Sequence, residues 1–284
     1  MRVAPCVFYI SGRKTKLEHG FIFDLNPIIT TIGPLQLRYY GLIFAAMLGV
    51  GFLLWRWQMM RGGYSSDLAR KFFIWGVIAV LAGSRLGHCV FYEPERYLAD
   101  PISILFLWQS GLASHGATIG LVLAILWFSI KHQLPFVEIM DRFSMSAAAG
   151  ATMVRLGNFF NSEIVGRATD VPWAVQFVIY DRMMGLSPTP RHPSQLYEFA
   201  LGIFVLISLY LADRKAGLEK RPPGLLSGMF LTLYFGGRFF IEFFKEYQTD
   251  LKDAQALTMG QYLSIIPFMV GAGLIIWSLT KNDQ

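Results

Sequence analysis

The sequence predicts an all-α, polytopic membrane protein with about seven transmembrane helices. Of its 284 residues, 54% are hydrophobic and only 15% are charged, and the mean hydropathy is +0.44. Soluble domains typically carry about 25% charged residues, so the composition alone favours an integral membrane protein. Apolar runs of the length that crosses a bilayer, about 20 residues each, recur along the chain.

These apolar segments predict one membrane domain over residues 21–284, preceded by a tail of unknown role over residues 1–20. No internal repeat or linker divides the chain. A shorter apolar piece at 102–112 is expected to lie in the interface or to re-enter the membrane. The predicted spans are roughly residues 36–57, 70–92, 116–132, 137–160, 195–212, 224–244 and 260–280.

Basic residues in the short loops predict the orientation, because cytoplasmic loops collect lysine and arginine. The loops at 56–71 and 212–223 carry most of these residues and lie on the same predicted side, together with Lys131 and Lys281. We therefore predict a cytoplasmic C-terminus, a periplasmic N-terminus and a cap built from the longer outer loops. The basic residues of the tail run against this rule.

Composition and motifs exclude several function classes. The net charge of +6 is explained by the basic loops, and no basic stripe with interleaved aromatic residues points to nucleic acid. Cys6 and Cys89 suggest neither a disulfide framework nor a metal site. Motifs for zinc ligation and nucleotide phosphate binding are absent. The sequence thus predicts no metal ion, no cofactor and no nucleic-acid partner.

Charged and amide side chains lie at or near the ends of several predicted helices. A charge at the bilayer centre costs about 2.5–3.5 kcal/mol on insertion scales, so these residues should line a polar cavity. Arg155 and Asn158 share a helix face, and Tyr234, Arg238 and Glu242 form a stripe at four-residue spacing. Guanidinium groups bind phosphate through bidentate hydrogen bonds, which suits a phospholipid headgroup.

Other interpretations remain open at this point. Arg238 and Glu242 could form an ion pair within the bundle, Glu198 could be the buried partner of an arginine, and His115 could be a polar residue at a helix entry. A transporter of an anionic substrate would also place such charges in the membrane, although no inverted repeat is evident. A purely structural membrane protein is a third alternative.

Six sequence blocks resemble the prolipoprotein diacylglyceryl transferase family, in the same order along the chain. The family signature G-R-x-G-N-F-x-N-x-E-x-x-G is similar to VRLGNFFNSEIVG at residues 154–166. The resemblance covers about residues 21–280. The other blocks are RYYGLIF at 38–44, SRLGHCVFY at 84–92, SHG at 114–116, RHPSQLYE at 191–198 and YFGGRFFIEFF at 234–244.

The resemblance implies seven transmembrane helices in the bacterial cytoplasmic (inner) membrane, with the active site toward the outer leaflet. It implies transfer of the sn-1,2-diacylglyceryl group from phosphatidylglycerol to the lipobox cysteine of a prolipoprotein, with release of glycerol 1-phosphate. The partners would be phosphatidylglycerol, the lipobox segment of the signal peptide and membrane lipids. Because no nucleophile from the enzyme is needed, Cys6 and Cys89 are expected to be replaceable.

The resemblance also carries functional residues onto this chain. Arg155 and Arg238 would stabilise the lipid phosphate, whose negative charge grows as it leaves. His115 is the candidate base because an imidazole of ordinary pKa, about 6.5, accepts a proton at neutral pH; a phosphate oxygen is the alternative. The candidate catalytic residues are His115, Arg155, Arg238 and Tyr40. The candidate substrate-binding residues are Asn158, Glu163, Gly166, Glu198, Tyr234 and Glu242, to which we add the polar residues Asn161 and Arg85 from the same blocks.

The chain departs from the family pattern at several positions. Val154, Ser84, Ser110 and Ala117 stand where glycine is expected, and His88 stands where tyrosine is more usual. The lost glycines concern the local shape of the backbone rather than the charged residues.

Overall fold

A computed structural model describes residues 20–33, 35–106, 111, 113–246 and 257–282. The predicted tail apart from Gly20, with Cys6 in it, lies outside the described residues, and so does Ser110. Nine α-helices lie within the described part: α1 (Tyr39–Arg61), α2 (Ser66–Phe91), α3 (Pro94–Ala99), α4 (Ser114–Lys131), α5 (Phe136–Phe160), α6 (Val178–Met183), α7 (Ser194–Lys215), α8 (Leu225–Ile241) and α9 (Met259–Asn282).

Each of the seven predicted apolar segments coincides with a helix of 17 or more residues. Five of the described helices, α1, α2, α4, α7 and α9, are long and apolar enough to cross a membrane. These five support a polytopic membrane protein. Of the other two, α5 carries four charged side chains and α8 has only 17 residues. The count of seven spans therefore stays a prediction.

The expectation of an all-α fold is wrong in one respect, because short strands also occur. A hairpin pairs β2 (Ile28–Ile32) and β3 (Leu35–Arg38) antiparallel. A three-stranded sheet has the order β1 (Phe21–Phe23), β4 (Val175–Phe177) and β5 (Pro190–Arg191), with β1 parallel to β4. Strands of two to five residues are too short for an alternating pattern of apolar and polar residues to be detected in the sequence.

The short apolar piece at 102–112 is only partly described. Pro101–Leu105 forms a 3-10 helix directly after α3. An interfacial or re-entrant position for this piece stays a prediction, as does the cap of outer loops.

The chain divides into two compact units. The first comprises Met1–Gly49, Ala148–Ser208 and Phe230–Ala272, and the second comprises Val50–Ala147, Leu209–Met229 and Gly273–Gln284.

In the first unit an aromatic cluster joins the end of α5 to the three-stranded sheet. Phe23 on β1 packs against Phe159 at a centroid distance of 4.6 Å and against Phe177 at 6.0 Å. Val165 and Val175 complete this buried cluster. Burial of a large apolar side chain stabilises by about 1.5–3 kcal/mol, so the cluster fixes the position at which α5 ends.

In the second unit glycines let α2 and α4 approach closely. A Cβ atom added to Gly83 would lie 2.5 Å from the carbonyl oxygen of Gly116, and one added to Gly120 would lie 2.3 Å from that of Ala79. Small residues at such contacts allow membrane helices to pack backbone against backbone. The same pairing brings the residues around Gly116, at the start of α4, beside α2.

A polar cluster in the second unit ties α1, α5 and α7 to the segment between α7 and α8. Asp213 accepts hydrogen bonds from Arg61 at 2.6 and 2.9 Å and from Arg221 at 2.9 Å. Hydrogen bonds from Arg142 and Arg61 lower the pKa of Glu219 below its ordinary value, although burial opposes them. These contacts satisfy charges that burial would otherwise make costly.

One carboxylate caps the start of α8. Asp141 on α5 accepts hydrogen bonds from the backbone N–H groups of Gly224 and Ser227 at 2.7 and 2.8 Å, and from the Ser227 hydroxyl at 2.7 Å. The first N–H groups of a helix lack partners within the helix. Here a carboxylate from a neighbouring helix accepts hydrogen bonds from two of these N–H groups, and its negative charge interacts favourably with the positive end of the helix dipole.

We predict that Gly120→Ala lowers the free energy of unfolding by about 1–3 kcal/mol, because the added methyl group would overlap the Ala79 carbonyl. Denaturant titration in detergent micelles measures the change. The matched control is Gly51→Ala in α1, where nothing lies within 4 Å of an added Cβ atom. Equal stability of the two variants would contradict the close packing of α2 on α4.

Candidate active site

The first unit places the signature residues around the C-terminal end of α5. Arg155 and Asn158 lie one turn apart on the same face of the helix, near its last residue, Phe160. The chain then turns back, since the Glu163 N–H donates to the Asn158 carbonyl at 2.9 Å. The Glu163 carboxylate accepts from the side-chain amides of Asn158 at 3.3 Å and Asn161 at 3.2 Å. The two amides and the carboxylate thus form one hydrogen-bonded group.

The loop after α5, residues 161–167, is held by the segment that starts α7. The Gly166 N–H donates to the His192 carbonyl at 3.0 Å, the Ser194 hydroxyl donates to the Ile164 carbonyl at 2.8 Å, and the Gln195 amide donates to the Glu163 carbonyl at 2.7 Å. Ser194 therefore holds this loop in addition to beginning the helix.

The same loop is also held by the segment that follows α8. The Arg167 N–H donates to the Phe244 carbonyl at 2.9 Å, and its Nε donates to the Lys245 carbonyl at the same distance. Gly166 lies between the two holding segments, where an added Cβ atom would be 2.3 Å from the His192 carbonyl and 2.7 Å from that of Phe244. Only glycine fits at this position.

Two loop residues adopt a backbone conformation that L-residues seldom adopt. Ser162 has a φ of 56° and Ile164 a φ of 54°. A β-branched residue at positive φ is a genuine outlier, and such strain persists only where the surroundings enforce it. The hydrogen bonds to residues 192–195 and 244–246 provide that enforcement. They keep Glu163 turned back onto α5.

A buried carboxylate gathers three cations in the same unit. Glu198 on α7 lies 3.1 Å from Arg155 Nε, 3.7 Å from an Arg238 nitrogen and 3.0 Å from Lys245 Nζ. Lys245 also lies 3.0 Å from Glu242. These three cations and two carboxylates leave the cluster with a net charge of about +1. A singly charged phosphate diester matches that charge.

Polar atoms in this region lack hydrogen-bond partners within the described residues. They include the side-chain amide oxygens of Asn158, Asn161 and Gln195. Buried polar groups are normally hydrogen-bonded, and exceptions concentrate where a ligand or water completes the set. The arrangement is therefore open to a polar ligand.

Two tyrosines border the cluster. Tyr234 on α8 is buried and interacts with the Arg155 charge. Tyr40 on α1 lies near the charges of Arg155 and Glu163, and its ring packs on Gly157, where an added Cβ atom would be 2.9 Å from a ring carbon. A narrow apolar cleft between α1 and α5 extends from Tyr40 along Val154. Polar and apolar surfaces thus meet at Tyr40.

A second polar chain flanks the start of α7. Trp173 donates from its indole nitrogen to the Tyr197 hydroxyl at 2.8 Å, and that hydroxyl lies 3.0 Å from His192 Nδ1. Burial lowers the pKa of His192 below its ordinary value of 6.5 and so favours the neutral form of the ring. One hydrogen joins the Tyr197 hydroxyl and His192 Nδ1, and the tautomer of the ring decides which of the two donates it.

His115 and Arg85 belong to the second unit. The His115 ring, at the start of α4, packs against Phe91 and Tyr92 at centroid distances of 5.5 and 5.8 Å. Arg85 is 1% exposed and donates to backbone carbonyls of Ser103, Ile104, Phe106 and Gly111. These contacts give Arg85 an anchoring role for the chain after α3. Its predicted role in substrate binding, like that of His115 in catalysis, stays a prediction.

Comparison with known proteins identifies the family. A sequence profile of the prolipoprotein diacylglyceryl transferase family matches residues 27–277. The chain belongs to the prolipoprotein diacylglyceryl transferase family. Similar proteins named phosphatidylglycerol–prolipoprotein diacylglyceryl transferase occur in Pseudoalteromonas atlantica (36% identical, covering 92% of each chain), Tolumonas auensis (38%, 92% of this chain and 98% of the relative) and Chloroherpeton thalassium (38%, 93% and 97%).

Described positions that depart from the family pattern keep regular backbone. Ser84 and Ala117 lie inside α2 and α4, and Val154 lies inside α5. His88 stacks on Tyr92 at 5.4 Å and lies 3.6 Å from Glu93. None of the described replacements of glycine creates a positive φ.

Lys245 is the member of the charge cluster that the sequence analysis missed. It is 3% exposed and bridges Glu198 and Glu242. Its position in the sequence could have indicated a role, because Lys245 lies only three residues after Glu242, the last member of the stripe that includes Tyr234 and Arg238. A lysine just beyond an apolar helix is, however, typical of an interfacial residue.

We predict that Glu198→Gln lowers the free energy of unfolding by about 3–5 kcal/mol, because three cations would lose the carboxylate between them. Chemical denaturation in detergent micelles measures the loss. Glu246→Gln is the matched control: Glu246 pairs with Arg191 but its side chain is 39% exposed, so a change within about 1 kcal/mol is expected. A stable Glu198→Gln protein would show that the cations do not need this partner.

Proposed function

We propose that this protein transfers the sn-1,2-diacylglyceryl group of phosphatidylglycerol to the lipobox cysteine of a prolipoprotein. Family membership supports the reaction class. The observation that carries the assignment to residues is the pairing of Arg155 and Arg238 with one buried carboxylate, Glu198. Two guanidinium groups within 4 Å of the same carboxylate can engage one phosphate together.

The reaction is a displacement at the lipid's sn-3 glyceryl carbon. The cysteine sulfur bonds to that carbon, the carbon–oxygen bond to phosphate breaks, and the thiol proton passes to a base. The products are a thioether-linked diacylglyceryl cysteine and glycerol 1-phosphate. Atoms and charge balance without an oxidant, metal ion or cofactor.

The arginines stabilise the leaving group. The diester phosphate carries one negative charge when bound and departs as a monoester with nearly two. A cation in contact with it therefore lowers the energy of the transition state more than that of the bound lipid. Glu198 is the positioning residue that holds both guanidinium groups, Glu242 and Lys245 pair with each other beside it, and Tyr40 and Tyr234 add neutral donors at the edges.

His115 is the proposed acceptor of the thiol proton. The free thiol has a pKa of about 8.5, so only a few per cent of it is ionised at pH 7. A neutral imidazole raises the thiolate fraction during the reaction. The departing phosphate oxygen remains the alternative acceptor.

We also propose that the site faces the outer leaflet of the bacterial cytoplasmic membrane, with seven spans and a periplasmic N-terminus. Glu198 lies at the N-terminal end of α7, whereas the C-terminal end of that helix leads into the basic loop at 212–223. Because basic loops are cytoplasmic, the opposite end of the helix is periplasmic. Phosphatidylglycerol would then enter from the membrane.

We expect purified protein with phosphatidylglycerol and a lipobox peptide to add a diacylglyceryl mass to the peptide cysteine and to release glycerol 1-phosphate. Arg155→Ala and Arg238→Ala should each lower kcat about 10²–10³-fold, because each removes a donor that stabilises developing charge. Mass spectrometry of the peptide measures the transfer. Arg70→Ala, at an exposed ion pair on α2, is the control. Folded variants that keep wild-type activity would refute the role of the two arginines in stabilising the leaving phosphate. A transporter would release no glycerol 1-phosphate.

We predict that the defect of His115→Gln depends on pH. Loss of a general base should cost about 10²–10⁴-fold near pH 7, and the deficit should shrink toward pH 9, where the thiol ionises unaided. The readout is the pH profile of kcat/KM, with Arg155→Ala as the variant whose deficit persists across the range. A deficit of constant size for His115→Gln would assign His115 to positioning instead.

A further inference from the structure

Glu163 fixes the direction in which two amide groups point. A carboxylate only accepts hydrogen bonds, so the NH₂ groups of Asn158 and Asn161, at 3.3 and 3.2 Å, must face it. Their carbonyl oxygens consequently face away. Both oxygens are buried and have no partner within the described residues. Asn158 is 6% exposed as a whole, which makes its unpaired oxygen unusual.

The unpaired groups are acceptors, so their ligand must bring donors. Beside them, Gln195 Oε1 is a further buried acceptor without a partner in the described part of the chain, and the Gln195 amide is bound to the Glu163 carbonyl. A phosphate cannot fill these positions, because it is itself an acceptor. Hydroxyl or N–H groups can.

The position of the acceptors relative to Arg155 indicates which donors these are. Asn158 follows Arg155 by three residues of α5, about 4.5 Å of helix rise, and Asn161 lies in the turn directly after the helix. A phosphate on Arg155 joins two glycerol units: the sulfur attacks one, and the other leaves with the phosphate. The departing glycerol carries two hydroxyl groups, only a few bonds from the phosphate.

We infer that Asn158 and Asn161, oriented by Glu163, bind the hydroxyl groups of the glycerol headgroup and so select phosphatidylglycerol among lipids of equal charge. This inference rests on the proposed function and extends it from the phosphate to the headgroup. Arg155 and Arg238 recognise the charge that all anionic phospholipids share. The amide oxygens recognise the headgroup hydroxyls, which distinguish phosphatidylglycerol from other lipids of the same charge.

The test compares phosphatidylglycerol with phosphatidylpropan-1-ol of the same acyl chains, which has the same charge and no headgroup hydroxyl. The lipobox peptide is the acceptor, and the readout is the ratio of kcat/KM for the two lipids. The wild-type protein should prefer phosphatidylglycerol about 10–100-fold, because the analogue leaves buried acceptors unpaired.

The variants separate headgroup selection from folding. Asn158→Ala and Asn161→Ala should bring the ratio toward unity. Glu163→Gln keeps the side-chain volume but adds a donor that faces the asparagine NH₂ groups, so the amides lose their common orientation and the ratio should fall too. Asn26→Ala is the matched control: Asn26 is exposed, and its side chain accepts from the Ile28 N–H at 2.9 Å. Its ratio should equal that of the wild type.

Each result bears on the inference. Transfer by the wild type without headgroup preference would overturn it, and so would asparagine variants that keep the wild-type ratio. A rise in the KM of the lipobox peptide at an unchanged lipid ratio would assign the acceptors to peptide N–H groups instead, and would also overturn it. No transfer from phosphatidylglycerol by folded wild-type protein would overturn the proposed function, a different result from transfer without preference.

Discussion

The charge balance at Glu198 is the interaction on which the site depends. Arg155, Arg238 and Lys245 repel one another, and because Lys245 is buried and both arginines are partly buried, the surroundings screen this repulsion less than water would. One carboxylate within 4 Å of all three makes their proximity tolerable. The cluster still keeps a positive excess. It can therefore hold cations ready for an anion without collapsing into a neutral salt bridge, which would leave nothing for a substrate.

The loop at 161–167 is the second constraint, and it explains why widely separated sequence blocks belong together. The loop is bound to residues 192–195 on one side and to 244–246 on the other. Gly166 is the position where all three segments touch. The unfavourable backbone conformation of Ile164 is a cost of turning Glu163 back toward α5, and the surrounding hydrogen bonds offset it. A preorganised carboxylate is the result.

The sequence allowed the seven long helices to be located, because their apolar stretches have the length of a bilayer span and end at loops with charged residues. It did not reveal the strands, which are too short to show an alternating pattern. It also suggested a pair of Arg238 with Glu242, four residues apart. In the structure Arg238 lies against Glu198 and Glu242 against Lys245. Partner choice among buried charges depends on tertiary packing, which local spacing does not encode.

For the site itself, the sequence was enough to identify the polar residues but not the residues with which each of them pairs. Arg155, Asn158, Glu163 and Glu198 stand out as polar residues in apolar surroundings, and the structure gathers them in one unit. Arg85 stands out for the same reason, yet its guanidinium is engaged by backbone carbonyls. The path of the chain after α3 decides that outcome, and no motif in the sequence describes it.

The binding of residues 161–167 to residues 244–246 also has a consequence for biosynthesis. The ribosome releases α5 long before it has made the segment that follows α8. During that interval the signature residues are present but Lys245 and the carbonyl of Phe244 are not, and Arg238 is missing until α8 is made. Glu198 therefore lacks up to two of its three cations, and the loop lacks half of its supports. The site is therefore completed only when nearly the whole chain has been inserted. A nascent or truncated chain could anchor itself in the membrane, but it would not withdraw lipid from it.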